Sequence, residues 1–287
     1  MSWTTCCPTG RSLTRTAMTR FRNILITGAA GGIGNVLRDA LRPHCELMRC
    51  SDLVDVIPEA PHEQSFAFDL RDAAATAKAM QGVDIVYHFG GIPIEGAWQD
   101  IRDVNIDGTF NIYEAARIAG VSRVVFASSN HAMGFYRRST TVGQDETPRP
   151  DSRYGVSKVF GEAVGRLYAD KHGIETISLR IGQFRPRPTN RRMLSLWLSP
   201  ADMARLAVSC LWQGPLHFEI VYGVSANKRG WYDNIGAQTI GYEPQDCAED
   251  YAQDLGDEAM KEESVEASFQ GGPFCAAEFD GSIDRIT

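Results

Sequence analysis

One short run, Thr27-Gly28-Ala29-Ala30-Gly31-Gly32-Ile33-Gly34, limits what this chain can fold into more than any other stretch, because of what flanks it. Before it, the apolar Ile24-Leu25-Ile26 reads as a buried strand. After it, Gly32 to Leu41 has the spacing of an amphipathic helix. A glycine-rich turn between strand and helix lets backbone N–H groups approach a phosphate with no Cβ in the way, and the helix N-terminus adds favourable partial charge. Gly28, Gly31, Gly32, Ile33 and Gly34 are therefore expected to cradle the pyrophosphate of a dinucleotide. Asp52 follows the next predicted strand, Glu46 to Cys50, eighteen positions after Gly34. A carboxylate there accepts both hydroxyls of an adenosine ribose and repels a 2′-phosphate, which favours NAD over NADP.

The same alternation continues. Strand Ser65 to Phe68 is followed by helix Ala73 to Met80, strand Ile85 to His88 and helix Trp98 to Ala119. Strand Val124 to Ala127, helix Gly155 to His172 and strand Glu175 to Arg180 complete the series. Parallel strands need crossover connections, so this order predicts the α/β class, a doubly wound parallel sheet of the Rossmann type. Asp69 and Leu70 end the third strand and would flank an adenine, although a turn or a helix cap explains Asp69 nearly as well. Phe89, Gly90 and Gly91 follow the fourth strand, where a slim backbone passes close to the cofactor; ordinary loop glycines are the alternative reading.

After Arg180 the rhythm loosens into a Pro/Arg-rich loop, a helix Pro200 to Cys210, a strand Phe218 to Val221 and an acidic helical tail from Asp246 to Glu266. That is too little for a separate core. The expected organisation is a disordered extension over 1–20, a cofactor-binding core over 21–182 and a substrate-capping region over 183–287. The cap would lie at the carboxyl edge of the sheet, where open α/β folds bind ligands. Residues 1–20 contain arginines and no acid, like a targeting peptide. Met18 lies just before the first strand, and the extension is expected to play no part in catalysis.

Composition narrows the partners. With 287 residues, 43% hydrophobic, the chain can bury a full core as one large domain. A net charge of -7 offers no basic field for nucleic acid, and no apolar stretch reaches the roughly 18 residues of a membrane span. The seven cysteines are odd in number and scattered, with neither a disulfide framework nor a metal quartet. A cytoplasmic protein with reduced thiols and no metal is expected.

Tyr154-Gly155-Val156-Ser157-Lys158 places a phenol and an ammonium one helical turn apart, on the same face. A neighbouring lysine cation and the charge of a nicotinamide favour the phenolate, which makes the tyrosine a usable base. By itself such a pair is common. Downstream of the glycine-rich turn, with Ser128-Ser129 ending the fifth strand twenty-five residues before Tyr154, it gains meaning.

Together these residues resemble the extended short-chain dehydrogenase/reductase family over nearly everything from Asn23 onward. Further stretches are similar to its uronate dehydrogenase subfamily: Phe126 to His131, Arg180-Ile181-Gly182, Arg192 to Ser195, Ser225-Ala226-Asn227 with Trp231 and Asp233-Asn234, and Gln270-Gly271-Gly272-Pro273-Phe274. The resemblance implies NAD-dependent oxidation of D-glucuronate or D-galacturonate at C1, as the cyclic hemiacetal, to an aldarolactone. Tyr154 would take the anomeric hydroxyl proton, Ser129 would hydrogen-bond the same oxygen, and Lys158 would hold the nicotinamide ribose while lowering the Tyr154 pKa. Asn105 would order a relay water behind Lys158, and Leu53 and Ile181 join the cofactor contacts. Asn130 and His131 would hold sugar hydroxyls, and Arg192 would fork onto the substrate carboxylate. The subfamily has substrate-contacting serines where this chain has Pro93 and Gln183; proline loses the hydroxyl, whereas glutamine still donates.

Blander readings stand beside these. His131 also fits a buried ring satisfying a backbone group. Arg192 also fits a solvated basic loop with Arg185, Arg187 and Arg191, and Phe274, which could stack near the sugar, reads more readily as core packing. Two rival functions are a sugar-nucleotide epimerase or dehydratase that retains its NAD, and a non-catalytic NAD-sensing regulator. A homo-oligomer is expected, with the helices Trp98 to Ala119 and Gly155 to Tyr168 as its candidate seam.

Overall fold

The computed structural model of the protein describes residues 20–255 and 264–286. The chain opens with β1 (Asn23–Thr27), α1 (Gly32–Leu41), β2 (Leu47–Ser51), β3 (Glu63–Ser65), α2 (Ala73–Ala79) and β4 (Ile85–His88). Next come α3 (Trp98–Asp100), a π-helical segment (Ile101–Asp107), α4 (Gly108–Ala119), β5 (Arg123–Ser129), α5 (Arg153–His172) and β6 (Glu175–Ile181). They are followed by β7 (Gln183–Phe184), α6 (Met193–Leu196), β8 (Trp197–Leu198), α7 (Pro200–Ser209) and β9 (Phe218–Gly223).

Seven strands form one sheet in the order β3-β2-β1-β4-β5-β6-β9, every neighbouring pair parallel. The fold is the expected doubly wound Rossmann sheet. Its central strands are buried almost end to end because helices cover both faces. Ile24 and Ile26 belong to one buried cluster with Leu37 of α1 and Met203 and Leu206 of α7; Leu25 belongs to the other, with Ala79, Ile112 and Val164. Strand order reverses between β1 and β4, the switch point at which such sheets open a crevice beyond their strand ends.

Several details depart from expectation. The third strand sits at Glu63–Ser65 rather than 65–68, although Phe66 N–H still donates to Cys50 and Phe68 N–H to Asp52, each at 3.0 Å. The cap of α2 is Asp72, whose carboxylate accepts from the N–H groups of Ala74 and Ala75, and not Asp69. The expected helix 98–119 has the right ends but is wound as a π-helix over Ile101–Asp107. α5 begins at Arg153, two residues early, because the Ser152 hydroxyl caps it by accepting from Gly155 N–H at 3.0 Å.

Beyond residue 182 the structure does more than cap. β9 adds the seventh strand, and α7 packs beside α1 as part of the sheet's own helical layer. The pair β7 and β8 was not foreseen. The acidic tail includes a 3-10 turn at Ala248–Asp254 and a short helix at Ser264–Ser268, with 256–263 outside the described residues. Residues 1–19 of the expected extension also lie outside them. Arg20 is not loose: its guanidinium pairs with Glu175 at 2.8 Å.

Candidate active site

A single cavity of about 1380 Å³ runs along the carboxyl edge of the sheet from Asp52 to Arg192. That exceeds the roughly 300–1000 Å³ of an ordinary small-ligand pocket, and it offers room for two ligands. Gly28, Gly31, Gly32, Ile33, Gly34, Asp52, Leu53, Asp69, Leu70, Phe89, Gly90, Gly91 and Ile181 all line it, as sequence reasoning expected of the cofactor set.

The glycine turn fits a pyrophosphate. Gly28 has φ +74°, and a Cβ on it would lie 2.7 Å from the Phe89 carbonyl carbon and oxygen, so β1 and β4 can approach only through glycine. α1 has no side-chain cap and no acid in its first turn, which leaves its positive end to whatever occupies the cavity. The Asp52 carboxylate accepts from Ala30 N–H at 3.0 Å and Leu53 N–H at 2.8 Å, so it is fixed at the tip of β2 and tied to the turn. Asp69 faces the same space but is chelated by the Arg71 guanidinium. Behind the floor, the Thr27 hydroxyl accepts from Phe89 and Gly90 N–H and meets His88 Nδ1 at 2.8 Å, which holds the β4 loop in place. Burial and the nearby Lys158 charge push His88 down to about 3, so it serves there as a neutral ring.

Ser129, Tyr154 and Lys158 converge on the cavity from the end of β5 and the first turns of α5. The Lys158 ammonium lies 5.4 Å from the centre of the Tyr154 ring and 5.3 Å from that of Phe126. Burial pushes Lys158 down to about 8 and Tyr154 up to about 12, with a Ser129 hydrogen bond pulling the phenol the other way. In the protein without cofactor, desolvation therefore sets the direction for Tyr154. Asn105 does not line the cavity. Its amide donates to the Ile92 carbonyl at 3.0 Å and the Ser157 hydroxyl at 3.2 Å, and it accepts from Ile92 N–H at 2.8 Å. It ties the loop carrying Gly91 and Pro93 to α5, one residue from Lys158.

On the far side of Tyr154 stand Pro93, Asn130, His131, Gln183 and Arg192. Arg192 is buried and not a solvated loop residue. Its Nε donates to the Gln270 carbonyl at 2.7 Å and one terminal nitrogen to Gln183 Oε1 at 3.1 Å. The other terminal nitrogen donates to the Asn130 side-chain oxygen at 2.8 Å, while the Asn130 amide donates to the Ile181 carbonyl at 3.2 Å. All three acceptors are neutral. One N–H remains on each terminal nitrogen, and among the described residues no carboxylate pairs with this guanidinium. Burial lowers its pKa and outweighs the opposing pull of Tyr232 and Asp151.

A search for relatives gave a consistent answer. The model of the NAD dependent epimerase/dehydratase family matches residues 24–216. The chain belongs to this family. It is 44% identical to a uronate dehydrogenase of Pseudomonas syringae pv. tomato, over 91% of this chain and 96% of that protein. A crystal structure of uronate dehydrogenase from Agrobacterium tumefaciens superposes with a TM-score of 0.85 at 40% identity, covering 92% of this chain and 98% of that one. A mutant of the Agrobacterium tumefaciens enzyme complexed with NAD gives a TM-score of 0.84 at 40% identity, over 91% and 98% of the two chains.

Two residues at the site of this family member, Asp151 and Glu95, escaped sequence reasoning, and Gln270 was seen only as part of a motif. Asp151 is buried and its carboxylate meets His131 Nδ1 at 2.7 Å, so His131 satisfies a side chain and not a backbone group. Phe274 is not core packing: it lines the cavity and stacks on the His131 ring, centroids 4.0 Å apart. Glu95 accepts from Tyr154 N–H at 2.9 Å and from Arg153 at 2.8 Å. Gln270 supplies the carbonyl that orients Arg192. The only trace of Asp151 in sequence is a Pro-Asp-Ser that reads as a helix start; Glu95 leaves none.

Proposed function

We infer that this chain is an NAD-dependent dehydrogenase that oxidises a uronate, D-glucuronate or D-galacturonate, at C1 of the cyclic hemiacetal to the aldarolactone. The observation that supports this most is Arg192, a buried guanidinium with neutral protein partners and one free N–H on each terminal nitrogen, in the same cavity as Tyr154. That pair of donors matches the two oxygens of a carboxylate.

Gly28, Gly31, Gly32, Ile33 and Gly34 would hold the NAD pyrophosphate at the α1 N-terminus. Asp52 and Leu53 would take the adenosine ribose, with Asp69 and Leu70 near the adenine. Phe89, Gly90, Gly91 and Ile181 would flank the remainder of the dinucleotide, and Lys158 would bind the nicotinamide ribose. NAD, when bound, accepts the hydride from C1 and brings a positive charge to the site. Tyr154 takes the proton of the anomeric hydroxyl, and Ser129 orients that oxygen by hydrogen bonding. Arg192 anchors the carboxylate, with Gln183 and Asn130 fixing its plane. His131 and Asn130 meet ring hydroxyls, and Pro93 closes the wall as an apolar surface. Asn105 acts as a positioning residue through Ile92 and Ser157. Segments around 183–198 and 270–275 form the substrate-side cover.

The test is NADH formation with glucuronate and galacturonate against glucose and galactose. Turnover of the acids and not the neutral sugars supports the reading. Silence with both acids, or NAD that co-purifies and never exchanges, rejects it in favour of a cofactor-retaining relative.

The same reading places the protein in the cytoplasm as a homo-oligomer. Exposed Phe110 and Ile118 on α4 and Leu167 on α5 support an interface there, which light scattering in solution tests. Among the described residues no helix is long and apolar enough to cross a membrane.

A further inference from the structure

Asp151 belongs to no role derived above, yet it is the most thoroughly accommodated acid on the substrate side of the cavity. Its side chain is 0% exposed. One oxygen meets His131 Nδ1 at 2.7 Å, and the other accepts from the Ser152 hydroxyl at 2.7 Å. Two segments distant in sequence leave space for it: a Cβ on Gly134 or on Gly271 would fall 1.8 or 1.9 Å from its Oδ2. The two glycines are joined by the Gly271 N–H donating to the Gly134 carbonyl at 2.9 Å. Any side chain at either position would evict the carboxylate.

The ring it holds is also clamped. Phe274 stacks on His131 with planes 20° apart, and Tyr154 meets it edge-on at 5.9 Å between centroids. His131 Nε2 has no protein hydrogen-bond partner among the described residues, and His131 lines the cavity.

We propose that Asp151 is a positioning residue for substrate specificity: it fixes the His131 tautomer so that Nε2 presents a lone pair to the cavity and reads a hydroxyl donor on the sugar ring. A carboxylate only accepts, so Nδ1 must carry the hydrogen. Burial holds His131 below the ordinary imidazole pKa in spite of Asp151, and a neutral imidazole has one hydrogen to place, which leaves Nε2 an acceptor. Ser129 and Tyr154 are taken up by the anomeric oxygen and Arg192 by the acid, so the acceptor at His131 distinguishes a ring carbon bearing O–H from one bearing hydrogen or O-methyl. Which hydroxyl is read rests on the uronate assignment; the tautomer does not.

The first measurement is ¹⁵N NMR of the histidine-labelled protein without substrate near neutral pH, the His131 signals assigned by their loss in His131→Gln. Nε2 should give the unprotonated, pyridine-like resonance and Nδ1 the protonated one. The opposite assignment overturns the proposal, whatever the substrate is. In Asp151→Asn the amide can donate to Nδ1, and the two resonances should exchange character. Wild type should lose about tenfold or more in kcat/KM on one of the 2-, 3- or 4-deoxyuronates, the worth of one buried hydrogen bond. Asp151→Asn should lose as much on the parent uronate but little more on that same analogue, with KM for NAD unmoved. A variant that weakens all analogues equally, or NAD equally, reduces Asp151 to a structural acid and overturns the role.

Discussion

The guanidinium of Arg192 and the side-chain oxygen of Gln183 meet at 3.1 Å, so the cation is oriented by an uncharged partner. A lysine at 192 would keep the charge but lose the Nε bond to Gln270 and the planar fork. Arg192→Lys should raise KM for a uronate by about 10–100-fold, the worth of one or two charged hydrogen bonds. KM for NAD should hardly move. Steady-state kinetics with each substrate varied in turn decides it, and equal effects on both would remove Arg192 from the acid subsite.

Tyr154→Phe deletes the oxygen that takes the proton and leaves the ring beside His131 and Lys158. Turnover should fall by about 10²–10⁴-fold, the usual share of general-base catalysis. NAD affinity, followed by quenching of protein fluorescence, should stay close to wild type. Unchanged turnover would place the base elsewhere.

Lys158 carries a charge that burial disfavours, down to about 8 from an ordinary 10.5. Between those values the unfolded chain binds more protons than the folded one, so stability rises with pH across the window, and the penalty is present in full below about 8. Lys158→Met should therefore abolish turnover yet stabilise the cofactor-free protein at pH 7 by up to about 3 kcal/mol, seen as a higher Tm. The gain should shrink as pH climbs from 8 towards 10.5. Thermal melts over that range test it; a variant destabilised at pH 7 would show that the ammonium is well compensated where it stands.

Legibility in sequence divided along physical lines. The strand–glycine–helix unit, the sheet and the Tyr154–Lys158 pair were readable because each is a local pattern, a periodicity or a spacing within one helix. Ser129 was readable as the end of a strand. What failed were contacts between segments far apart in the chain. Asp151 reaches His131 across twenty residues, and Gln270 reaches Arg192 across seventy-eight. The upward push of burial on Tyr154 was not legible either, since burial is a property of the assembled site. The π-helical winding at 101–107 has no composition of its own.

Asp52→Asn should relax discrimination against NADP, because the charge that would repel a 2′-phosphate is gone. It should also weaken NAD, since Asn can replace only part of the acceptance from Ala30 and Leu53. The ratio of kcat/KM for the two cofactors is the measurement. An unaltered ratio would show that exclusion of NADP is steric.

The π-helical stretch between α3 and α4 makes the direction of Asn105 a matter of phase. Winding the same seven residues of 101–107 as ordinary α-helix would turn one side of the helix against the other by on the order of 100°, the turn of one α-helical residue. Asn105 would then swing off Ile92 while α4 stayed packed, or the reverse. A change of pitch too small to disturb the fold would set adrift the loop that carries Gly91 and Pro93, so the reach of that loop over the cavity is written in the winding of one helical stretch rather than in the residues that line the cavity.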